Sequence, residues 1–161
     1  MPVISTKTDP TNLTLTIVFT MAANADRVWR LWSDPRQLEK WWGPPQWPAT
    51  FYRYNFAVDG QCAFYMTGPD GTKMHGWWRI TALAEPHHLE LHDGFADENG
   101  EPTGEHGITD MVVTMEPVDT GTRMTVVSRF ESELHLEEML AMGMEQGMTE
   151  AMGQIDAVLA T

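Results

Sequence analysis

The side chains with most chemical capacity lie in the run His87-His88-Leu89-Glu90-Leu91-His92, in the stretch His75-Gly76-Trp77-Trp78-Arg79 and at the lone Cys62. On a strand, His88, Glu90 and His92 share one face, a pattern that invites a metal ion. At roughly 3.3 Å per residue, however, the two imidazoles stand about 13 Å apart, while zinc ligands lie about 2 Å from the ion. They read as outward, solvated groups, and no metal is expected. His75 and Arg79 share a strand face with Trp77. Turned inward they could polarise a carbonyl or move a proton; with Gly76, Trp78 and Ile80 inward instead, they are surface groups. Cys62 beside Phe64 reads as a small buried residue. No G-x-S-x-G, P-loop or strand-following G-x-G-x-x-G occurs, so no catalytic residue is assigned and no cofactor is expected.

Composition narrows the classes further. Of 161 residues, 10 are Lys or Arg and 23 are Asp or Glu, a formal net charge of -13. Such a surface repels phosphate backbones, which argues against a nucleic-acid partner. A single cysteine excludes an internal disulfide and a multi-thiolate metal site, and a reducing, cytoplasmic setting is the expectation. No run approaches the ~18 apolar residues of a membrane span.

These groups must be positioned by the elements around them. Residues 1–12, polar and containing Pro2 and Pro10, read as a flexible tail, and 13–161 as one domain. Residues 13–20 alternate as a half-buried strand. The segment ADRVWRLWSDPRQLEKWWGPP then places Trp29, Trp32, Trp41 and Trp42 on two short helices, broken where Pro35 disfavours a helical Asp34 and leaves that residue to cap the second. Turn signals divide the next stretch into strands at 49–57, 61–67, 73–83, 88–95, 107–116 and 122–130, an antiparallel meander. From Glu133 the period changes: Leu136, Leu140, Met144, Met148, Met152, Ile155 and Leu159 mark one long amphipathic helix of roughly 37 Å. Gly143 and Gly147 on it should allow either close approach of the sheet or room for a guest. The fold class is α+β: a curved seven-stranded antiparallel sheet wrapped around a long C-terminal helix, with two short helices after the first strand.

The segments ADRVWRLWSDPRQLEKWWGP, GPDGTKMHGWWRI, DMVVTMEPVDTGTRMTVVSRF and GMEQGMTEAMGQIDAVL, taken in order, resemble the SRPBCC superfamily, and within it the family named for the activator of heat-shock-protein-90 ATPase. The resemblance implies the helix-grip fold and a chamber between sheet and last helix. Where members often carry Gly-Trp in that helix, this chain has Gly147-Met148, a softer wall. The expected lining is Trp42, Phe64, Met66, Trp78, Met111, Val113, Met144, Met148 and Met152, suited to a small hydrophobic or aromatic ligand. Two other functions stay open: a cyclase or aromatase using the same pocket, which needs His75, Arg79, Asp110 or Tyr65 to reach it, and a co-chaperone that stimulates a heat-shock-protein ATPase. Exposed Trp or Met would also allow a homodimer.

Overall fold

The computed structural model describes residues 4–161, so residues 1–3 of the expected tail lie outside it. Eight antiparallel strands form one sheet: β1 (Ile4–Asp9), β2 (Thr14–Met21), β3 (Ala49–Tyr54), β4 (Gln61–Thr67), β5 (Lys73–Ala84), β6 (His88–Phe95), β7 (Thr109–Val118) and β8 (Gly121–Arg129), in the order β1-β2-β8-β7-β6-β5-β4-β3. The meander from β3 to β8 follows the turn signals. β2 closes it by pairing with β8 from Thr14↔Arg129 to Met21↔Thr122. Register shifts between Phe51 and Arg53 on β3 and between Ile80 and Ala82 on β5 bend the sheet, as bulges do.

The eighth strand corrects the sequence reading. Ile4–Asp9, expected as part of a flexible tail, pairs with β2 from Ile4↔Phe19 to Asp9↔Thr14. The Asp9 carboxylate accepts from the backbone N–H groups of Thr11 and Asn12 at 3.0 and 3.2 Å and so organises the turn between them. Ser5, Thr6 and Lys7 of this edge strand are exposed and Thr8 and Asp9 half-buried, all of them polar, so residues 5–9 carry no hydrophobic alternation from which to read the strand.

The helical V forms where the chain breaks at Pro35. In α1 (Ala25–Ser33), the Asn24 side chain accepts from the Arg27 N–H; in α2 (Pro35–Leu38), Asp34 accepts from the Arg36 N–H, the cap expected of it. Val28, Leu31, Trp32 and Leu38 are buried completely against the concave face of the sheet, with Leu15, Ile17 and Phe19 of β2.

The last helix is not continuous. It runs as α3 (Glu133–Ala141), α4 (Met144–Met152) and α5 (Ile155–Leu159). Gly143 takes φ 87°, ψ 22°, a left-handed conformation that ends α3 and starts α4. A Cβ at Gly143 or at Gly147 would meet nothing within 4 Å, so neither glycine serves close approach of the sheet. Gln154, at the second break, donates from Nε2 to the Gly43 carbonyl at 2.7 Å and ties the helices to the turn after Trp42. Arg27 reaches the far end, donating to Gln37 Oε1 and to the Val158 carbonyl.

The two glycines make opposite predictions. Gly143→Ala should cost about 1 kcal/mol, because a side chain is forced into a left-handed residue. Gly147→Ala, inside α4 with open space around its Cβ, should gain about 1 kcal/mol. Urea unfolding of the two variants reads both signs; shifts in the same direction would contradict this account of the break.

Candidate functional site

Between the concave face and α3–α4 lies a cavity of about 390 Å³. Its walls come from four places: Trp41, Trp42, Pro44 and Trp47 of the segment after α2; Phe64 and Met66 of β4; Met74, His75 and Gly76 of β5, Asp93, Gly94 and Phe95 of β6 and Met111 of β7; and Met139, Met142, Gly143, Met144, Gly147, Met148, Ala151 and Met152 from the helices. Met74 and Met142, both exposed, stand at its mouth. Eight of the twelve methionines in the chain are on this surface. Unbranched thioethers adapt to a guest more readily than branched or aromatic side chains.

Strand alternation explains most of the lining. Gly76, Trp78 and Ile80 are buried while Arg79 is exposed, which fixes the inward parity of β5. Seven of the nine expected lining residues, Trp42, Phe64, Met66, Met111, Met144, Met148 and Met152, border the cavity. Trp78 and Val113 do not: both have the inward parity, but they are completely buried under the aromatic cluster and the neighbouring core. Trp78 packs edge-on against Trp42 with ring centroids 4.8 Å apart, so Trp42 presents the surface that Trp78 lacks.

The polar candidates fall mostly outside. His88 pairs with Glu90 at 2.7 Å and His92 with Asp110 at 3.0 Å on the outer face, so these groups do not converge. Arg79 pairs with Asp59 at 3.0 Å. Tyr65 lies beside His75 and under the Lys73 ammonium, 4.3 Å from its ring centroid. Of the four groups proposed to reach the chamber, only His75 borders it, and its Nδ1 is buried without a hydrogen-bond partner. Burial pushes the Cys62 thiol up to about 11, which keeps it a protonated, unreactive thiol at neutral pH.

The polar group that sequence reasoning missed is Asp93. It continues the inward row of Leu89 and Leu91 on β6, a signal present in the alternation itself, and it faces Trp78 across the β5–β6 pair. Trp78 Nε1 donates to Asp93 Oδ1 at 3.0 Å. Protein surrounds the carboxyl except where the cavity opens onto it. Burial pushes its pKa up to about 7, against the lowering effect of the indole hydrogen bond.

A curved antiparallel sheet gripping C-terminal helices, with an apolar cavity between them, defines a helix-grip protein. The chain belongs to the Activator of Hsp90 ATPase homolog 1-like family of the SRPBCC superfamily, which it matches over residues 22–160. It is similar to a protein from Arthrobacter aurescens solved by NMR, at 54% identity and TM-score 0.93 over 97% of this chain and 91% of that one. It is similar too to the crystal structure of protein Ms6760 from Mycobacterium smegmatis, at 43% identity and TM-score 0.90 over 98% and 97%. The AHSA1 protein from Silicibacter pomeroyi, at 19% identity and TM-score 0.75 over 91% and 97%, shares the fold. No curated protein matches the chain.

Asp93 makes stability depend on pH with a definite sign. Its folded pKa lies above the ordinary 3.8, so the unfolded chain loses this proton first. The contribution of Asp93 to stability therefore falls as pH climbs from about 4 to about 7 and is level above that. Asp93→Asn, which keeps an acceptor for the indole, should be more stable than wild type at about pH 8 by on the order of 2–4 kcal/mol, with the difference shrinking toward pH 4. Denaturant unfolding of both proteins across this range checks it; parallel curves would contradict the burial of this carboxyl.

Proposed function

We propose that this protein binds a small hydrophobic or aromatic molecule in the cavity between its sheet and its C-terminal helices. The observation that carries this reading is the cavity itself: about 390 Å³, within the range of small-molecule sites, with walls almost wholly of methionine and aromatic side chains. A core that existed only for stability would close over such a space, because unfilled volume forfeits dispersion contacts. The buried Cys62, with no second thiol in the chain, fits a reducing, cytoplasmic compartment. Among the described residues no helix is long and apolar enough to cross a membrane.

Asp93 gives a second, enzymatic reading its one specific support, since a cyclase-like reaction needs an inward group that can exchange a proton near neutral pH. Turnover of a reactive polyketide-like chain that Asp93→Asn abolishes would favour that reading over simple binding.

Met148→Trp, which fills the cavity from α4, is the test of the binding reading. Wild type should gain several degrees of melting temperature with a saturating apolar aromatic such as naphthalene methanol, since a ligand at about 100 times its Kd adds roughly 2.7 kcal/mol. The variant should keep its fold and lose the shift. Equal shifts in both proteins, or none in wild type across a panel of apolar aromatics, would overturn the proposal.

A further inference from the structure

The cavity wall is apolar apart from a few groups, and one of them has a chemistry its surroundings leave incomplete. The Asp93 carboxyl receives a single hydrogen bond among the described residues, from Trp78 Nε1 to Oδ1. Among the described residues none donates to Oδ2, and no Lys or Arg lines the cavity. No element packed around it brings a Lys or Arg: β5 brings Trp78 and His75, β7 brings Met111 and, directly across from Asp93, Thr109, the segment after α2 brings Trp41, Pro44, Trp47 and Trp42, whose Nε1 is buried without a partner, and α3 and α4 line the cavity with Met, Gly and Ala. Arg79 is on the outer face with Asp59, and His92 is there with Asp110. Among the described residues His75 is therefore the only other titratable group on the wall.

We propose that the cavity takes a hydrophobic amine, its ammonium group held by the Asp93 carboxylate and its apolar body lodged against the methionine and tryptophan walls. This rests on the ligand-binding reading above and sharpens it. With one indole donor and no charge partner on this wall, the ionised Asp93 carboxylate is incompletely compensated, and an ammonium supplies the missing charge together with further N–H donors. The indole N–H already favours the ionised form. Trp42 and Trp47, which border the same surface and keep some exposed area, are indoles that can bind a cation, whereas Trp41 is completely buried. At net charge -13, the field of the whole molecule enriches cations and repels anionic ligands. A neutral ligand with only an acceptor, such as a ketone, would instead require the protonated acid and would bind better at low pH.

Calorimetric titration with 1-naphthylmethylamine and its neutral counterpart 1-naphthalenemethanol, on wild type and Asp93→Asn at about pH 6 and about pH 8, separates these cases. The amine remains protonated at both values, so the change reports Asp93, with His75→Gln as the control for the other titratable wall group. Wild type should bind the amine at least tenfold more tightly than the alcohol at pH 8, and lose about tenfold of amine affinity on going to pH 6, as the carboxylate takes up its proton. Asp93→Asn should bind the two probes alike, with no pH dependence, and His75→Gln should keep the tenfold pH step in amine affinity whatever it does to the affinity itself. The wild-type pH series stands independently of how well any variant folds. If the alcohol binds wild type as tightly as the amine, or the amine preference survives Asp93→Asn, the amine inference is overturned while the cavity reading stands. If neither probe binds wild type, both are overturned.

Discussion

The rest of the structure depends on how the aromatic cluster fills one end of the sheet. Trp32 lies edge-on to Trp41 with centroids 4.8 Å apart, Trp42 is edge-on to Trp78 at the same distance, and Phe51 and Phe64 pack beside them with rings tilted by 32° and centroids 4.8 Å apart. Each such pair contributes about 0.5–1.5 kcal/mol beyond the area it buries. The polar ends of these rings are spent on fixing the backbone. Trp41 Nε1 donates to the Leu31 carbonyl at 2.9 Å, Trp32 Nε1 reaches Met124 Sδ at 3.3 Å, and the Tyr54 hydroxyl donates to the Trp32 carbonyl. The helical V is thereby locked onto β3–β5, and that end of the chamber is solid.

What the cluster fills at one end, the helices leave open at the other. The Trp42 indole forms the boundary between core and cavity. Beyond it, α3 and α4 offer methionine and glycine where larger side chains would have closed the space. The left-handed Gly143 bends the helix path at the cavity, so that Met142 and Met144 border it from either side of the break. Specific bonds hold the C-terminal helices to the rest of the chain: Gln154 to the Gly43 carbonyl of the turn after Trp42, Arg27 of α1 to the Val158 carbonyl, and the Thr6 hydroxyl of β1 to Glu145 Oε1 at 2.7 Å.

Much of this was legible in the sequence where a periodic pattern met a burial requirement. The V, the meander and the inward parity of β4, β5 and β7 each express one apolar face of an element. Legibility failed where that pressure was weak. Ile4–Asp9 is an edge strand held by backbone pairing, and its residues 5–9 are polar and mostly exposed, so composition alone makes it look like a tail. The break at Gly143 has a local cause, a single residue's backbone conformation, which a four-residue spacing cannot reveal. Trp78 and Val113 have the correct parity, but depth within the core is set by neighbours from other elements. Asp93 shows the opposite failure. The alternation of Leu89 and Leu91 points to it, but a lone carboxylate carries no sequence signal that sets it apart from the histidines beside it.

The most direct test of the central claim is NMR of the protein labelled with ¹³C at the methionine methyls, titrated with 1-naphthylmethylamine. The account predicts that the methyls of Met66, Met111, Met144, Met148 and Met152 shift together and saturably, while Met21, Met115 and Met124, buried in the core away from the cavity, hold still. No saturable shift at the cavity methyls, or equal shifts at the core ones, would contradict it.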